Sequence, residues 1–281
     1  MTHIETQVVC YRDDSDWRNE AEAVKKHFRC IGNRTAIKSG ELVIPRFSAL
    51  PFNKEFCDDV EYVGAKMINN YRQHQYIADL GNWYPDLMEL TPRTWRNLHE
   101  IPDDGTQFVL KGATNSRKEL WKTHMWAANK TEAIQVHSRL QNDGLIMYQD
   151  IYIREYIELE KLYEGLQGLP ITREYRFFIY KNKVLSSGFY WSNYYEDLLD
   201  MGFVLDPNEV PKEFLDKVIS KIQNTSVSEA PNFYVIDVAK TSSGNWIVIE
   251  LNDGNMSGLS MNNPDVLFGN LKAELIAEQK Q

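Results

Sequence analysis

Phe233-Tyr-Val-Ile-Asp237-Val238, then the polar turn Thr241-Ser-Ser-Gly244-Asn245, then Trp246-Ile-Val-Ile-Glu250-Leu-Asn252-Asp253-Gly254 read as two strands joined in a hairpin. Because strand side chains alternate between faces, Trp246, Val248, Glu250 and Asn252 are expected on one face and Ile247, Ile249 and Leu251 on the other. Glu250 and Asn252 thus share a face. Pairing puts Asp237 opposite or diagonal to them, depending on turn register. Three oxygen-bearing side chains then converge, a donor set suited to Mg²⁺, which takes one or two carboxylates from a protein and its other ligands from water and substrate phosphates. The solvated face of an amphipathic hairpin has the same pattern, so the cations upstream decide between the two readings.

Phe108-Val-Leu-Lys111-Gly112 is a strand ending in a lysine, followed by a small polar loop with Ser116, Arg117 and Lys118 and a helix start near Glu119. Free backbone amides and a helix dipole at such a junction favour phosphate, although the Walker spacing is missing and glycine is sparse. A charged surface turn capped by Ser116 would look the same. Next, Tyr152-Ile-Arg154-Glu155-Tyr156-Ile157-Glu158 leaves a buried-looking strand for a polar connection. Its backbone can meet an adenine edge, with Glu155 or Glu158 accepting from ribose hydroxyls; the competing reading is an edge strand with alternating charge. In Arg173-Glu174-Tyr175-Arg176-Phe177-Phe178-Ile179-Tyr180, alternation places Glu174, Arg176, Phe178 and Tyr180 on one face. An arginine among aromatics needs an anion such as phosphate, or a ring to stack on, because an unpaired buried guanidinium is costly.

Bulk properties narrow the classes. An apolar fraction of 43% supports a packed core, and 281 residues suggest one large domain or two moderate ones. The net charge of −9 argues against bulk nucleic-acid binding, which needs a basic face, yet leaves room for a local phosphate pocket. Cys10, Cys30 and Cys57 form neither a zinc doublet nor an even disulfide framework, and the sequence shows no secretory signal and no run long enough to span a membrane. A soluble, cytoplasmic protein is expected. His3, His27, His74, His99, His124 and His137 sit in no recognisable Ser-His-Asp context.

Along the chain, residues 6–10 form a strand, and Asp14, Ser15 and Asp16 offer caps for a helix presenting Trp17, Ala21, Val24 and Phe28. Further strands are expected at 41–45, 62–70, 107–111, 146–155, 174–180, 184–191, 233–238 and 246–252. Helices are expected around 71–80, 84–90, 116–140, 211–224 and 264–278. Pro92 pushes Thr91 out of helical geometry and marks a boundary near residue 91.

The order lysine strand, small-residue loop, hinge strand with Glu, arginine strand, Asp, then Glu-x-Asn resembles the ATP-grasp superfamily. The likeness is greatest to the clade related to ribosomal-protein glutamate ligases. In Glu-Tyr-Arg-Phe-Phe-Ile it extends to the ATP-grasp proteins that assist assembly of a eukaryotic translation initiation factor. It covers residues 90–260 and, more faintly, 41–94, where Val43-Ile-Pro-Arg46, Ile68-Asn-Asn70 and Thr91-Pro92 resemble the domain preceding the grasp. The fold implied is α+β: an ATP-grasp unit of two sheet-containing lobes over 91–281, preceded by a smaller α/β domain over 1–90.

The resemblance implies phosphate contacts from Lys111 and the loop Ser116, Arg117, Lys118, and adenine contacts from the backbone around Glu155, Tyr156 and Ile157. It further implies phosphate or intermediate stabilisation by Arg176, and one or two Mg²⁺ held by Asp237, Glu250 and Asn252. Two departures stand out: a phosphate loop rich in charge and poor in glycine, and no early lysine at Tyr71–Gln75, where Arg72 or His74 are the substitutes. The chemistry implied is phosphorylation of a carboxylate by ATP, followed by attack of an amine or related nucleophile. The substrate would be a small molecule, amino acid or peptide bearing a carboxylate, and Tyr190, Trp191, Tyr194 and Tyr195 are candidates for its pocket. A different class, an ATP-dependent binding or assembly factor that ligates nothing, uses the same pocket.

Overall fold

The computed structural model describes residues 6–11 and 18–280. The expected caps Asp14, Ser15 and Asp16, and Trp17, lie outside the described residues. The chain opens with β1 (Thr6–Cys10), α1 (Arg18–Val24), β2 (Arg29–Ile31), β3 (Glu41–Pro45), α2 (Asn53–Tyr62) and β4 (Lys66–Met67). These strands pair in parallel in the order β2-β1-β3-β4. Both faces of the sheet are covered, which explains the unbroken apolar runs. Val8, Cys10 and Val43 pack on Phe56 and Val60 of α2, and Val9 and Ile44 share a second cluster with Val24 of α1. The strand expected over 62–70 shrinks to β4, because α2 runs to Tyr62 and Gly64, at φ +77°, ends it in the left-handed region that glycine adopts most readily.

Two helices follow, α3 (Tyr71–Ala78) and α4 (Leu80–Leu87). α3 starts where Asn70 and Gln73 form a reciprocal capping box. The second sheet is antiparallel and comprises β5 (Thr94–Trp95), β6 (Phe108–Gly112), β7 (Trp126–Ala127) and, beyond α5 (Lys130–Gln141), β8 (Ile151–Glu155), in the order β5-β8-β6-β7. Phe108, Leu110 and Ile153 face Ala133, Val136 and Leu140 of α5, which leaves Val109, Lys111, Tyr152 and Arg154 on the opposite face. The single helix expected over 116–140 is broken: a 3-10 turn at 118–120 and a π turn at 121–125 precede β7, and α5 begins only where Asn129 caps the Glu132 amide. β8 likewise starts at Ile151 rather than 146, since the Asp143 carboxylate accepts from the Leu145 and Ile146 amides and holds a turn.

A two-stranded ribbon, β9 (Lys161–Glu164) and β10 (Pro170–Thr172), leads into β11 (Glu174–Tyr180) and β12 (Lys183–Phe189). Then come α6 (Tyr195–Asp200), α7 (Lys212–Gln223), β13 (Phe233–Lys240), β14 (Trp246–Asp253) and α8 (Pro264–Glu278). This third main sheet is antiparallel, in the order β12-β11-β13-β14. Tyr175, Phe177, Ile179, Ile236 and Val238 cover one face together with the stripe Leu215, Val218, Ile219 and Ile222 of α7, spaced as one helix face requires. The opposite face divides along its length. At one end Phe178, Tyr180, Phe233 and Val235 pack with Val9, Ile44 and the α8 residues Leu267, Phe268 and Leu271. At the other end Glu174, Arg176, Asp237 and Glu250 are left facing β6 and β8.

One register shift corrects the sequence reading. Asp237 pairs with Glu250 but Val238 pairs with Val248, so Ile249 is the extra residue of a β-bulge. The alternation therefore slips at the bulge. Val248 lies with Leu251 in the α7-side core, Trp246 packs on Tyr175, and Ile247, not Val248, joins Glu250 on the cleft side. The boundary expected near residue 91 is sewn to this bulge: the Val248 amide donates to the Leu90 carbonyl at 2.7 Å, and Thr91 Oγ1 donates to the Val248 carbonyl at 2.7 Å.

Candidate active site

Between the second and third sheets lies a cleft that opens to solvent on one side. Its floor on the β14 side is Ile247, Ile249 and Glu250, and its opposite wall carries Val109, Lys111 and Arg154. Ser116, Lys118, Glu155, Tyr156, Ile157 and Glu158 border it as well. The adenine-edge segment and the phosphate-loop residues thus come to one cavity, with one exception. The Arg117 guanidinium turns to Asp143 at 2.9 Å and Glu119 at 2.8 Å. Glu155 is tied by Arg93, which donates to both carboxylate oxygens at 2.8 and 3.1 Å.

The charged centre spans the cleft. Lys111 of β6 donates to Glu250 of β14, both largely buried. Burial works to raise the Glu250 carboxyl, but the Lys111 and Lys118 ammonium groups and hydrogen bonds from Lys111 and Asn252 outweigh it and hold the group down at about 2. Burial pulls the Lys111 ammonium down, against the pull of Glu250. One pairing position away, Arg176 grips Asp237 through two parallel bonds, Nε to Oδ1 at 2.8 Å and Nη2 to Oδ2 at 2.7 Å, while its Nη1 donates to the Gly258 carbonyl at 2.7 Å. Its guanidinium carbon also lies 4.8 Å from the Tyr190 ring centre. The anion and the ring expected near Arg176 are therefore both present, and the anion is Asp237.

Asp237, Glu250 and Asn252 stand on one face of β13 and β14, since Asp237 pairs with Glu250 and Asn252 lies two residues on. Two carboxylates and an amide suit one or two hard divalent cations completed by water and phosphate oxygens, so the donor chemistry fits Mg²⁺. Arg72 and His74, the expected substitutes for an early lysine, go elsewhere. Arg72 is exposed beside Glu229 at 3.5 Å, and His74 Nδ1 lies 2.9 Å from Asp253 in a buried network. The cation beside Lys111 is instead Arg154, whose partner in the register, Val109, is two residues from Lys111. Arg154 donates to the Ile249 carbonyl at 2.6 Å and to Thr91 Oγ1 at 2.5 Å, and burial pushes it down to about 10. Strand parity relative to Lys111 is the signal that identifies it.

A group to which the sequence reading gave no role is Glu174. It is 3% exposed and lines the cleft; Thr172 Oγ1 donates to its Oε2 at 3.4 Å, while its Oε1 has no hydrogen-bond partner. Burial pushes it up to about 7, with Asp237 and Glu250 adding to the rise and Lys118 and Arg176 opposing it. Lys118 donates to the Tyr190 hydroxyl and sits 4.2 and 5.2 Å from the Tyr190 and Trp191 ring centres. Of the aromatics expected at a substrate pocket, Trp191 borders the cleft, whereas Tyr195 packs on Phe189 and Tyr194 on Tyr163.

Two facing sheets with a lysine, a hinge segment and a carboxylate hairpin meeting between them define an ATP-grasp protein. The chain belongs to a family described as an ATP-grasp domain, the third family of its clade, whose model matches residues 101–271. Among solved structures it is similar to D-alanyl-alanine synthetase A from Vibrio cholerae, at 11% identity, over 99% of this chain and 98% of that one, with a TM-score of 0.58. A RimK domain ATP-grasp protein from Sphaerobacter thermophilus matches at 13% identity, over 96% and 100%, with a TM-score of 0.59. The ATP-grasp ligase PsnB complexed with minimal precursor, Mg and ADP matches at 12% identity, over 99% of each chain, with a TM-score of 0.58. At these identities the likeness establishes the fold, α+β with an ATP-grasp core. No curated protein matches the chain. Among the described residues no helix is long and apolar enough to cross a membrane.

Proposed function

We propose that this protein is an ATP- and Mg²⁺-dependent ligase that activates a carboxylate as an acylphosphate and joins it to an amine or related nucleophile. The observation that carries this reading is the Lys111–Glu250 contact across the cleft, with the Arg176–Asp237 pair beside it. A cation of the second sheet there meets a carboxylate of the third, and a second cation–carboxylate pair of the third sheet lies beside it, where a triphosphate and its metal would sit. In this reading residues 1–90 form the pre-grasp unit and residues 91–281 the nucleotide-binding one. Asp237, Glu250 and Asn252 would hold Mg²⁺, which when bound supplies charge neutralisation to the phosphates.

Each remaining role follows from position. The backbone of Glu155, Tyr156 and Ile157, in which the Glu155 and Tyr156 amides already donate to the Arg93 and Gln107 carbonyls, borders the adenine edge, and Ile247 and the bulge residue Ile249 give it an apolar floor. Lys111 and Lys118 neutralise phosphate charge, Ser116 donates to it, and Arg176 offsets the charge that develops on the oxygen of the tetrahedral intermediate. No side-chain nucleophile is required. ATP consumption over pooled amino acids and peptides, with mass spectrometry of products, tests the reading. A covalent product with ADP supports it, while ATP-stabilised partner binding without a product selects the assembly-factor alternative. Glu250→Gln is expected to lower Mg-dependent ATP affinity at least tenfold in calorimetry, and unchanged affinity refutes the site.

A further inference from the structure

Glu174 is a carboxylate that the roles above leave unused, and its setting is unlike that of the other acids in the cleft. Asp237 and Glu250 each meet a cation directly. Glu174 does not: its Oε2 accepts one long bond from Thr172, Trp191 Nε1 donates to that same Thr172 hydroxyl at 3.4 Å, and its Oε1 has no hydrogen-bond partner among the described residues. A buried acceptor left unsatisfied costs free energy unless a ligand completes it. The residue is nonetheless in the cleft wall, with Thr172 and Trp191 bordering the same cavity. β11 holds it two residues from Arg176, on the face where Asp237 and Glu250 stand.

Resting on the ligase reading, we propose that Glu174 receives the second substrate as an ammonium ion and takes its proton, which makes the nucleophile of this enzyme a primary amine. An ammonium group supplies what the site lacks, N–H donors for Oε1. The groups facing Glu174 are Lys118 from the phosphate loop, Arg176 on its own strand, Asp237 of β13, Glu250 of β14 and the Tyr190 hydroxyl beyond β12.

The step balances as follows. The ammonium R–NH₃⁺ gives one proton to Glu174 and becomes R–NH₂. Its lone pair attacks the acylphosphate carbonyl, the C–N bond forms, and the C–O bond to phosphate breaks. The second N–H proton leaves with phosphate, and Glu174 returns its proton to solvent when product departs. No oxidant or reductant enters.

Hydroxylamine is largely uncharged near pH 7.5, so it can trap an acylphosphate without a proton acceptor. The test supplies MgATP and a mixture of the twenty amino acids and their N-acetyl forms, with and without hydroxylamine, and compares amide and hydroxamate yields by mass spectrometry. Glu174→Gln is expected to lower the amide-to-hydroxamate ratio at least fiftyfold while hydroxamate yield and ATP affinity stay within about threefold. Glu174→Asp, which keeps the carboxylate one methylene short, should lower the ratio by a smaller factor and covers the case in which the glutamine variant does not fold. An unchanged ratio in both variants overturns the proposal, as does a parallel loss of Mg-dependent ATP binding, which would make Glu174 part of the nucleotide shell. If the wild-type protein yields neither product with this mixture or with pooled peptides, the ligase reading fails and takes this proposal with it.

Discussion

Replacing Glu174 by glutamine should make the protein more stable, and increasingly so as the pH rises. The folded carboxyl titrates at about 7 against an ordinary value of 4.5, because it is buried. Between those values the folded form binds more protons than the unfolded one, so stability falls as pH increases through this window and the loss is complete above about 7. At 1.36 kcal/mol per pH unit, the interval from 4.5 to about 7 corresponds to a penalty of about 3 kcal/mol at pH 8 and about 1 kcal/mol at pH 5. Glutamine keeps the shape of the neutral acid and never ionises, so it removes the penalty. Urea denaturation of both proteins at pH 5, 6, 7 and 8 measures it directly, and thermal melts at pH 8 should differ by about 6–12 °C. An advantage that stays flat with pH, or shrinks as pH rises, would show that Glu174 ionises normally and would refute the reasoning. The penalty also fits a residue kept for function rather than for stability.

Three further outcomes are expected. Lys111→Met or Glu250→Gln alone should cost about 3–5 kcal/mol in urea denaturation, because each strands a buried charge, while the double variant should recover most of it; purely additive losses would contradict a paired contact. In Gly188→Ala the new Cβ would sit 2.4 Å from the Met261 carbonyl carbon and 2.6 Å from the Asn262 amide nitrogen, both backbone, so a loss of about 1–3 kcal/mol is expected, whereas Gly144→Ala meets nothing within 4 Å and should be near neutral. Arg46→Met should destabilise by about 3–5 kcal/mol, since Arg46 is fully buried, pairs with Glu20 at 2.7 Å and donates to the Gly254 and Ser257 carbonyls; an unaltered melting curve would count against that network.

Long elements with strong periodicity were legible in the sequence. The strand 174–180, the helix 264–278 and the parallel opening strand were read at their observed bounds, because apolar alternation or capping by Asn263 and Pro264 is encoded locally. Ribbon strands β9 and β10 were missed: with three or four residues and mixed polarity they have no period to detect, and tertiary pairing makes them. The gathering of Asp237, Glu250 and Asn252 was foreseeable from parity, but the bulge at Ile249 was not, since nothing in Trp-Ile-Val-Ile-Glu marks an extra residue. That one residue moved Trp246 and Val248 off the expected face. Glu174 was visible in sequence only as half of a Glu-x-Arg pair; its missing partner is a fact of packing.

The cluster in which Val9, Ile44 and α8 meet Phe178, Phe233 and Val235 bears on how this protein can be dissected. A chain truncated at the front would bare those aromatic side chains to water and leave the carbonyls of Gly254 and Ser257 without their arginine. Expression of the back portion by itself should therefore give insoluble material, and chimaeras with related proteins should succeed only when the opening sheet and the final helix are exchanged together.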